Sequence, residues 1–184
     1  MTVWLVVIVI LLVGCARHSH PRSEPEPVRY YPLLLPGSYG RSIVIEQFLE
    51  GSARGERFQL HSQIEIDAEH MLVLGFTTFQ TKAFVLRFDG KTVAFENFTE
   101  RRMPFPPEFI LSDIQKILWP TLPDREGWNV VDDPAGKVRL VFYARQLVTR
   151  IQYQGLSPIE GDVELVDLQY GYQLHIRTLN VWSG

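Results

Sequence analysis

Residues 57–98, "RFQLHSQIEIDAEHMLVLGFTTFQTKAFVLRFDGKTVAFENF", decide the fold, because their pieces repeat with a period of two. In the first piece Phe58, Leu60, Ile64 and Ile66 share one face, and Arg57, Gln59, His61, Gln63, Glu65 and Asp67 share the other. Successive side chains of a strand point to opposite sides, so this alternation predicts an antiparallel strand with one wet face. "HMLVLGFTTF" (70–79) is apolar on both faces and predicts a strand covered on both sides. "KAFVLRFDGKTVAFENF" (82–98) reads as two strands joined at Asp89-Gly90, a pair suited to the positive φ angles of a tight hairpin.

Further along, "KVRLVFYA" (137–144), "QLVTRIQYQ" (146–154), "DVELVDLQ" (162–169) and "YQLHIRTLNVW" (172–182) continue the alternation. They predict one large twisted antiparallel sheet, strongly curved or partly closed. One segment breaks the pattern. "FPPEFILSDIQKILWP" (105–120) has Ile110, Ile114, Ile117 and Leu118 at helical spacing, a proline pair at its start and Pro120 at its end. It predicts an amphipathic helix over 108–119, its apolar stripe on the sheet and Glu108, Ser112, Asp113, Gln115 and Lys116 outside. The fold class is mainly β (α+β). A curved sheet capped by one helix can be solid or hollow, and composition alone does not separate the two.

Before the strands, "VVIVILLVGCARHSHPRSEPEP" (6–27) holds the chain's one cysteine. The uninterrupted apolar run from Val3 to Val13 is too short for a membrane-spanning helix, which needs about 20 residues. It has the length of a signal-peptide core, although no Lys or Arg precedes it. Leu12-Val13-Gly14-Cys15 resembles the bacterial lipobox, which implies diacylglycerol on the Cys15 sulfur, cleavage before it and acylation of the new amine. Two or more chains give stable attachment where one gives only marginal binding. Ala16 follows, where an aspartate would favour the inner membrane, so the expected destination is the outer membrane, facing the periplasm. The domains expected are a signal peptide over 1–14, a lipidated cysteine and tether over 15–29, and a single folded domain over 30–184. Pro21, Pro25 and Pro27 with no periodic apolar residue make the tether; extended at about 3.1 Å per residue it reaches some 40 Å. His18 and His20 on it read as solvated rather than metal-binding.

The net charge of −3 gives no clustered basic surface for nucleic acid. With Cys15 consumed by lipid, no thiol remains for a disulfide or a nucleophile. "GLSPI" (155–159) ends in Ile159 where a nucleophile elbow needs glycine, and "GSARG" (51–55) lacks the lysine of a phosphate loop. No zinc-binding His pair is present on a helix, and His61 and His175 fall at polar strand positions. Asp124, Glu126, Asp132 and Asp133 cluster around Trp128 without the ligand spacing of a calcium loop, and read as a solvated acidic loop. The expectation is a protein that is not an enzyme and takes no cofactor and no metal.

The order "LGFTTFQTKAFVLRFDGKTVAF", "FPPEFILSDIQKILWPTLP", Gly127-Trp128 and "VELVDLQYGYQLHIRTLNVW", with the lipobox, resembles LolB, the outer-membrane lipoprotein receptor, and its soluble relative LolA. More closely it resembles an uncharacterised family of LolB-like lipoproteins associated with aryl-polyene synthesis genes. The resemblance implies a half-open antiparallel barrel with a helical lid over an apolar cavity that receives acyl chains, without chemistry. It implies a lipoprotein or polyene-tailed cargo and a LolA-like periplasmic carrier, with the protein acting as a monomer. It implies Phe84, Leu86, Phe88, Phe95, Ile110, Ile114 and Leu118 in the cavity and lid, inward by alternation. The turn "TTFQTK" would present Phe79 as a membrane-contacting tip. Two rivals stand beside it: an anchored scaffold that binds an envelope protein, and a hydrolase or thioesterase, which would need a polar dyad in the pocket.

Overall fold

The computed structural model describes residues 29–183, apart from positions 54, 101, 102, 104 and 156. The expected signal peptide, Cys15 and the tether up to position 28 lie outside the described residues. Ten strands form one antiparallel, open, curved sheet. In chain order they are β1 (Ile43–Ala53), β2 (Glu56–Ile66), β3 (Met71–Phe76), β4 (Lys82–Phe88) and β5 (Val93–Asn97). After the helix α1 (Pro107–Leu118) come β6 (Trp128–Asp132), β7 (Val138–Tyr143), β8 (Gln146–Tyr153), β9 (Asp162–Asp167) and β10 (Tyr172–Ser183). The order across the sheet is β5-β4-β3-β2-β1-β10-β9-β8-β7-β6. Two meanders therefore meet where β1 pairs with β10, and α1 joins their outermost strands.

Local chemistry sets the turns. Asp89 accepts the N–H groups of Lys91 and Thr92, while Gly90 takes φ +86°, closing the β4–β5 hairpin. Pro106 and Pro107 open α1, where a missing N–H costs nothing. Trp119 turns to extended backbone ahead of Pro120, which ends the helix.

Two of the three register shifts among the described strands fall on one row of residues. Between β1 and β10 the register shifts at Glu46/Gln47, leaving Leu179 as the extra residue. Between β3 and β4 it shifts at Gly75/Phe76, leaving Ala83 extra. Both bulges lie on the cross-strand row Thr178–Gln47–Ser62–Gly75–Phe84. A bulge kinks its strand and increases local twist, so a row of them is a fold line. Gly75 is required there: a Cβ on it would fall 2.2 Å from the Phe84 ring.

Ile43, Ile45, Ile64, Ile66, Met71, Val73 and Leu86 are buried in one half of the concave face. Val141, Ile151, Val163, Leu165 and Ile176 are buried in the other. Residues 29–40 fold back onto this core and bury Tyr31, Leu34, Pro36 and Tyr39. Two expectations need correction. The outer face of β3 is not covered: Leu72, Leu74 and Phe76 are half-buried there. The acidic stretch around Trp128 contains a strand, β6, because Trp128 turns inward between Tyr31 and Tyr143 at 5.8 and 4.8 Å.

Candidate functional site

The helix lies deeper in the fold than its stripe of isoleucines predicts, and its polar side is buried as well as much of its apolar one. Ser112 and Gln115 are 0% exposed and Lys116 is 2% exposed, whereas Ile110 and Ile114 are only half-buried. Ser112, Asp113, Gln115 and Lys116 therefore do not face solvent, and Glu108 is half-buried. The physical reason is that β8, β9 and β10 offer polar partners at inward positions. Lys116 Nζ lies 2.7 Å from Asp113 Oδ1 and donates to Thr149 Oγ1 at 3.1 Å. Tyr172 donates its hydroxyl to the other Asp113 oxygen, and Thr149 donates to Asp167 Oδ2 at 3.4 Å.

The C-terminal end of α1 is fastened just as firmly. Arg139 Nη1 donates to the carbonyls of Lys116 and Trp119 at 2.8 and 2.7 Å, and Nη2 to Pro120 at 3.1 Å. Its remaining donors meet both oxygens of Asp132 at 2.6 and 3.0 Å. A guanidinium so placed satisfies the carbonyls a helix leaves unpaired at its end. Tyr153 donates to the Ile117 carbonyl at 3.0 Å, and Gln115 both accepts from and donates to the Leu34 backbone at 2.8 Å.

These groups hold protons tightly. Burial, reinforced by the Asp113 and Asp167 charges, pushes the Tyr172 hydroxyl far above the usual tyrosine range. Burial pushes Tyr153 up to about 12. Burial also raises Asp167, against the opposing pull of the Tyr170 N–H and Lys116. For Arg139 burial works against the charge, yet the Asp132 bond and neighbouring charges outweigh it and its pKa rises. Each of these groups is engaged in holding the helix.

Of the nominated cavity residues, Phe84, Leu86, Phe88 and Phe95 lie on the other half of the sheet, and Ile110, Ile114 and Leu118 lie on α1. Phe84, Leu86, Phe88 and Leu118 are buried, while Phe95, Ile110 and Ile114 are half-buried, and α1 meets the sheet at β5. Leu86 pairs directly with Phe95, and the Phe84 and Phe95 rings are 6.0 Å apart. Phe79 stands at the tip of the β3–β4 turn and is 89% exposed. Thr77 Oγ1 accepts the N–H groups of Phe79 and Thr81 at 3.3 Å, and Gln80 takes φ +61°, which fixes the turn beneath the ring.

Two surface grooves open elsewhere. One of about 580 Å³ lies among Leu35, Pro36, Ala68, His70 and Asp89, and one of about 620 Å³ among Tyr30, Gly127, Trp128 and Tyr143. Neither is lined by the nominated residues. Of the acidic cluster, Asp124 accepts from Asn129 and the Val130 N–H, Asp132 pairs with Arg139, and Asp133 accepts the Lys137 and Val138 N–H groups. Among the described residues no group of three His, Cys, Asp or Glu is placed to hold a metal ion. No helix among them is long and apolar enough to cross a membrane.

Sequence reasoning missed the buried polar network, though a signal was present. Thr149 lies in phase with Ile151 and Tyr153, and Asp167 with Val163 and Leu165, so each sits on the apolar face of its strand.

In sequence, residues 44–180 match the model of a family described as a protein of unknown function, DUF3261. No curated protein matches the chain. Among solved structures it is similar to a LolA superfamily protein from Nitrosomonas europaea, at 11% identity over 77% of this chain and 85% of that one, TM-score 0.43. It is similar to a domain assigned to outer membrane lipoprotein sorting in Vibrio parahaemolyticus, at 10% identity over 78% and 85%, TM-score 0.42. A DUF1329 family protein from Desulfovibrio piger aligns at 9% identity over 82% and 94%, TM-score 0.39. Each TM-score is under 0.5, below the level at which a likeness carries a function or a partner across.

Proposed function

The chain belongs to the DUF3261 family, and from that premise we propose that it is a lipid-anchored protein that takes acyl chains between α1 and β1–β5 and passes them to the outer membrane without chemistry. One observation carries the reading: the helix is fastened by polar side chains to one half of the sheet and only leans on the other. Asp113, Lys116 and the carbonyls of its last turn are bonded to residues of β7–β10. It also meets β5, and its Ile110 and Ile114 are half-buried against the core. Apolar contacts are non-directional and are replaced by an acyl chain at little cost, whereas the polar bonds are not. An incoming chain therefore parts α1 from Phe84, Leu86, Phe88 and Phe95 and leaves Leu118 and the last turn in place.

The other parts take their roles from this one. Cys15 carries the anchor, the tether gives reach, and the Phe79 ring enters the membrane interface during delivery, its polar neighbours staying wet. The protein works as a monomer, and a LolA-like periplasmic carrier supplies a lipoprotein or polyene-tailed cargo. A second reading, a scaffold for an envelope protein, is favoured by the far half of β10. There residues 178 and 180–183 pair with β1 but not with β9, and Leu179, Val181 and Trp182 are exposed. A photoactivatable acyl lipid in membranes carrying the full chain tests the two. Labelling of β4, β5 and α1 that is lost in Ile114→Glu supports acyl binding, and absence of internal labelling in wild type favours the scaffold.

A further inference from the structure

Three polar side chains on the concave face have buried atoms without a partner: Gln47 Nε2, Ser62 Oγ and Thr178 Oγ1. Gln47 and Ser62 are themselves only 4% and 6% exposed. Gln47 pairs directly with Thr178 on β10 and with Ser62 on β2. Opposed residues of an antiparallel pair share a face, their Cβ atoms about 4.5–5.5 Å apart. Gln47 is in phase with Ile43 and Ile45, and Ser62 with Ile64 and Ile66, so all three polar groups point inward. Native interiors leave few such atoms unpaired, and three neighbours on consecutive strands call for one common cause.

Their position supplies it. On one side of the row the concave face is closed, with Ile45 and Ile64 buried. On the other side Leu49 and Leu60 are half-buried, and Phe58 lies exposed across Gly51. The row is thus the boundary between packed core and the looser part of the interior. It also carries the β1–β10 bulge, a device that re-aims side chains.

We infer that this row seats an uncharged acceptor inside the acyl-binding interior, the carbonyl of an acyl ester or amide; the inference rests on the acyl-chain reading above. One amide and two hydroxyls offer three donor groups around a carbonyl oxygen, which accepts two hydrogen bonds. A free carboxylate does not suit the row, because an ionised group buried without a cation is heavily penalised. Among the described residues the two buried basic side chains are already committed. Lys116 is bonded to Asp113 and Thr149, and Arg139 to Asp132 and the carbonyls after α1. The cargo selected is esterified or amidated acyl chains over free fatty acids.

The test uses membranes carrying the full chain and two photoactivatable probes of equal chain length, an acylglycerol ester and its alkyl ether. The ester is expected to label β1, β2 and β10 about fivefold or more over the ether, the range of one or two neutral hydrogen bonds. Gln47→Met with Ser62→Ala should reduce ester labelling to the ether level and leave ether labelling unchanged. Its melting temperature should hold or rise, since unpaired donors have been removed, whereas a self-satisfied structural network would melt lower. Thr178→Val gives the same readout if the double variant does not fold. Equal labelling by ester and ether in wild type, or full ester labelling in the variant, overturns the inference and leaves the row to ordered water. If neither probe labels the interior, the acyl-chain reading itself fails and this inference falls with it.

Discussion

Lys116 and Asp113 form an ion pair at 2.7 Å inside the sheet, one turn apart on the face of α1 that the helical pattern assigns to solvent. Their burial makes the pair a condition of the helix's placement. Removing one member strands the other's charge, which costs about 3–5 kcal/mol, while replacing both with apolar groups is often neutral. Lys116→Met should therefore be strongly destabilised in urea. Asp113→Leu combined with Lys116→Met should recover more than half of the loss. A Lys116→Met protein as stable as wild type would detach the helix from β8–β10.

Asp167 predicts a pH dependence. Its folded pKa is raised above the ordinary 3.8, chiefly by burial. Its contribution to stability is then complete below that ordinary value and is lost as pH rises through the folded pKa. Asp167→Asn, which keeps one oxygen to accept the Tyr170 N–H and turns its NH₂ to donate to Thr149 Oγ1, should show a flatter profile across this window. At neutral pH it should be at least as stable as wild type. Melting curves of both proteins from pH 4 upward check this; identical profiles would contradict the assignment.

Gly75→Ala should unfold more easily by about 1–3 kcal/mol, because the new methyl meets the Phe84 ring at 2.2 Å and the ring must leave its place. A domain of this size then melts roughly 2–12 °C lower. Pairing it with Phe84→Leu should return part of the loss. If Gly75→Ala melts like wild type, the ring has free space above the strand.

Phe79→Ala should change stability by no more than about 0.5 kcal/mol, since the ring is 89% exposed. Transfer of a fluorescent acyl lipid to liposomes should nevertheless slow, and Phe79→Glu should slow it further by keeping a carboxylate at the interface. Unchanged transfer by both variants would leave the tip without a role in delivery.

Much of the sheet was legible because β2 and β9 bury alternate residues and Asp89-Gly90 marks a hairpin. Helix α1 was legible in extent but not in orientation. Its stripe Ile110–Ile114–Ile117 is genuine, yet periodicity measures only the helix and says nothing of what the sheet offers it. The partners were visible separately, as Thr149 and Asp167 on apolar strand faces; what joins them is tertiary. Strand β6 was obscured because Asp124, Glu126, Asp132 and Asp133 mask the inward Trp128 and Val130. The row Gln47–Ser62–Thr178 shows in sequence only as polar residues in an apolar phase, since the pairing that groups them depends on a bulge.

The order of the strands also sets a timetable. Within each wing every pairing joins consecutive strands, so each can nucleate locally and early. The exception is the β1–β10 pair, where Asn180 reaches Glu46 across a separation of 134 residues. Closing so long a loop carries the largest entropic cost in the molecule, so the middle of the sheet is its last part to form. During that interval both wings display their inner faces and two open edges of main-chain donors and acceptors. A newly made chain is thus most exposed to aggregation just before its centre zips shut.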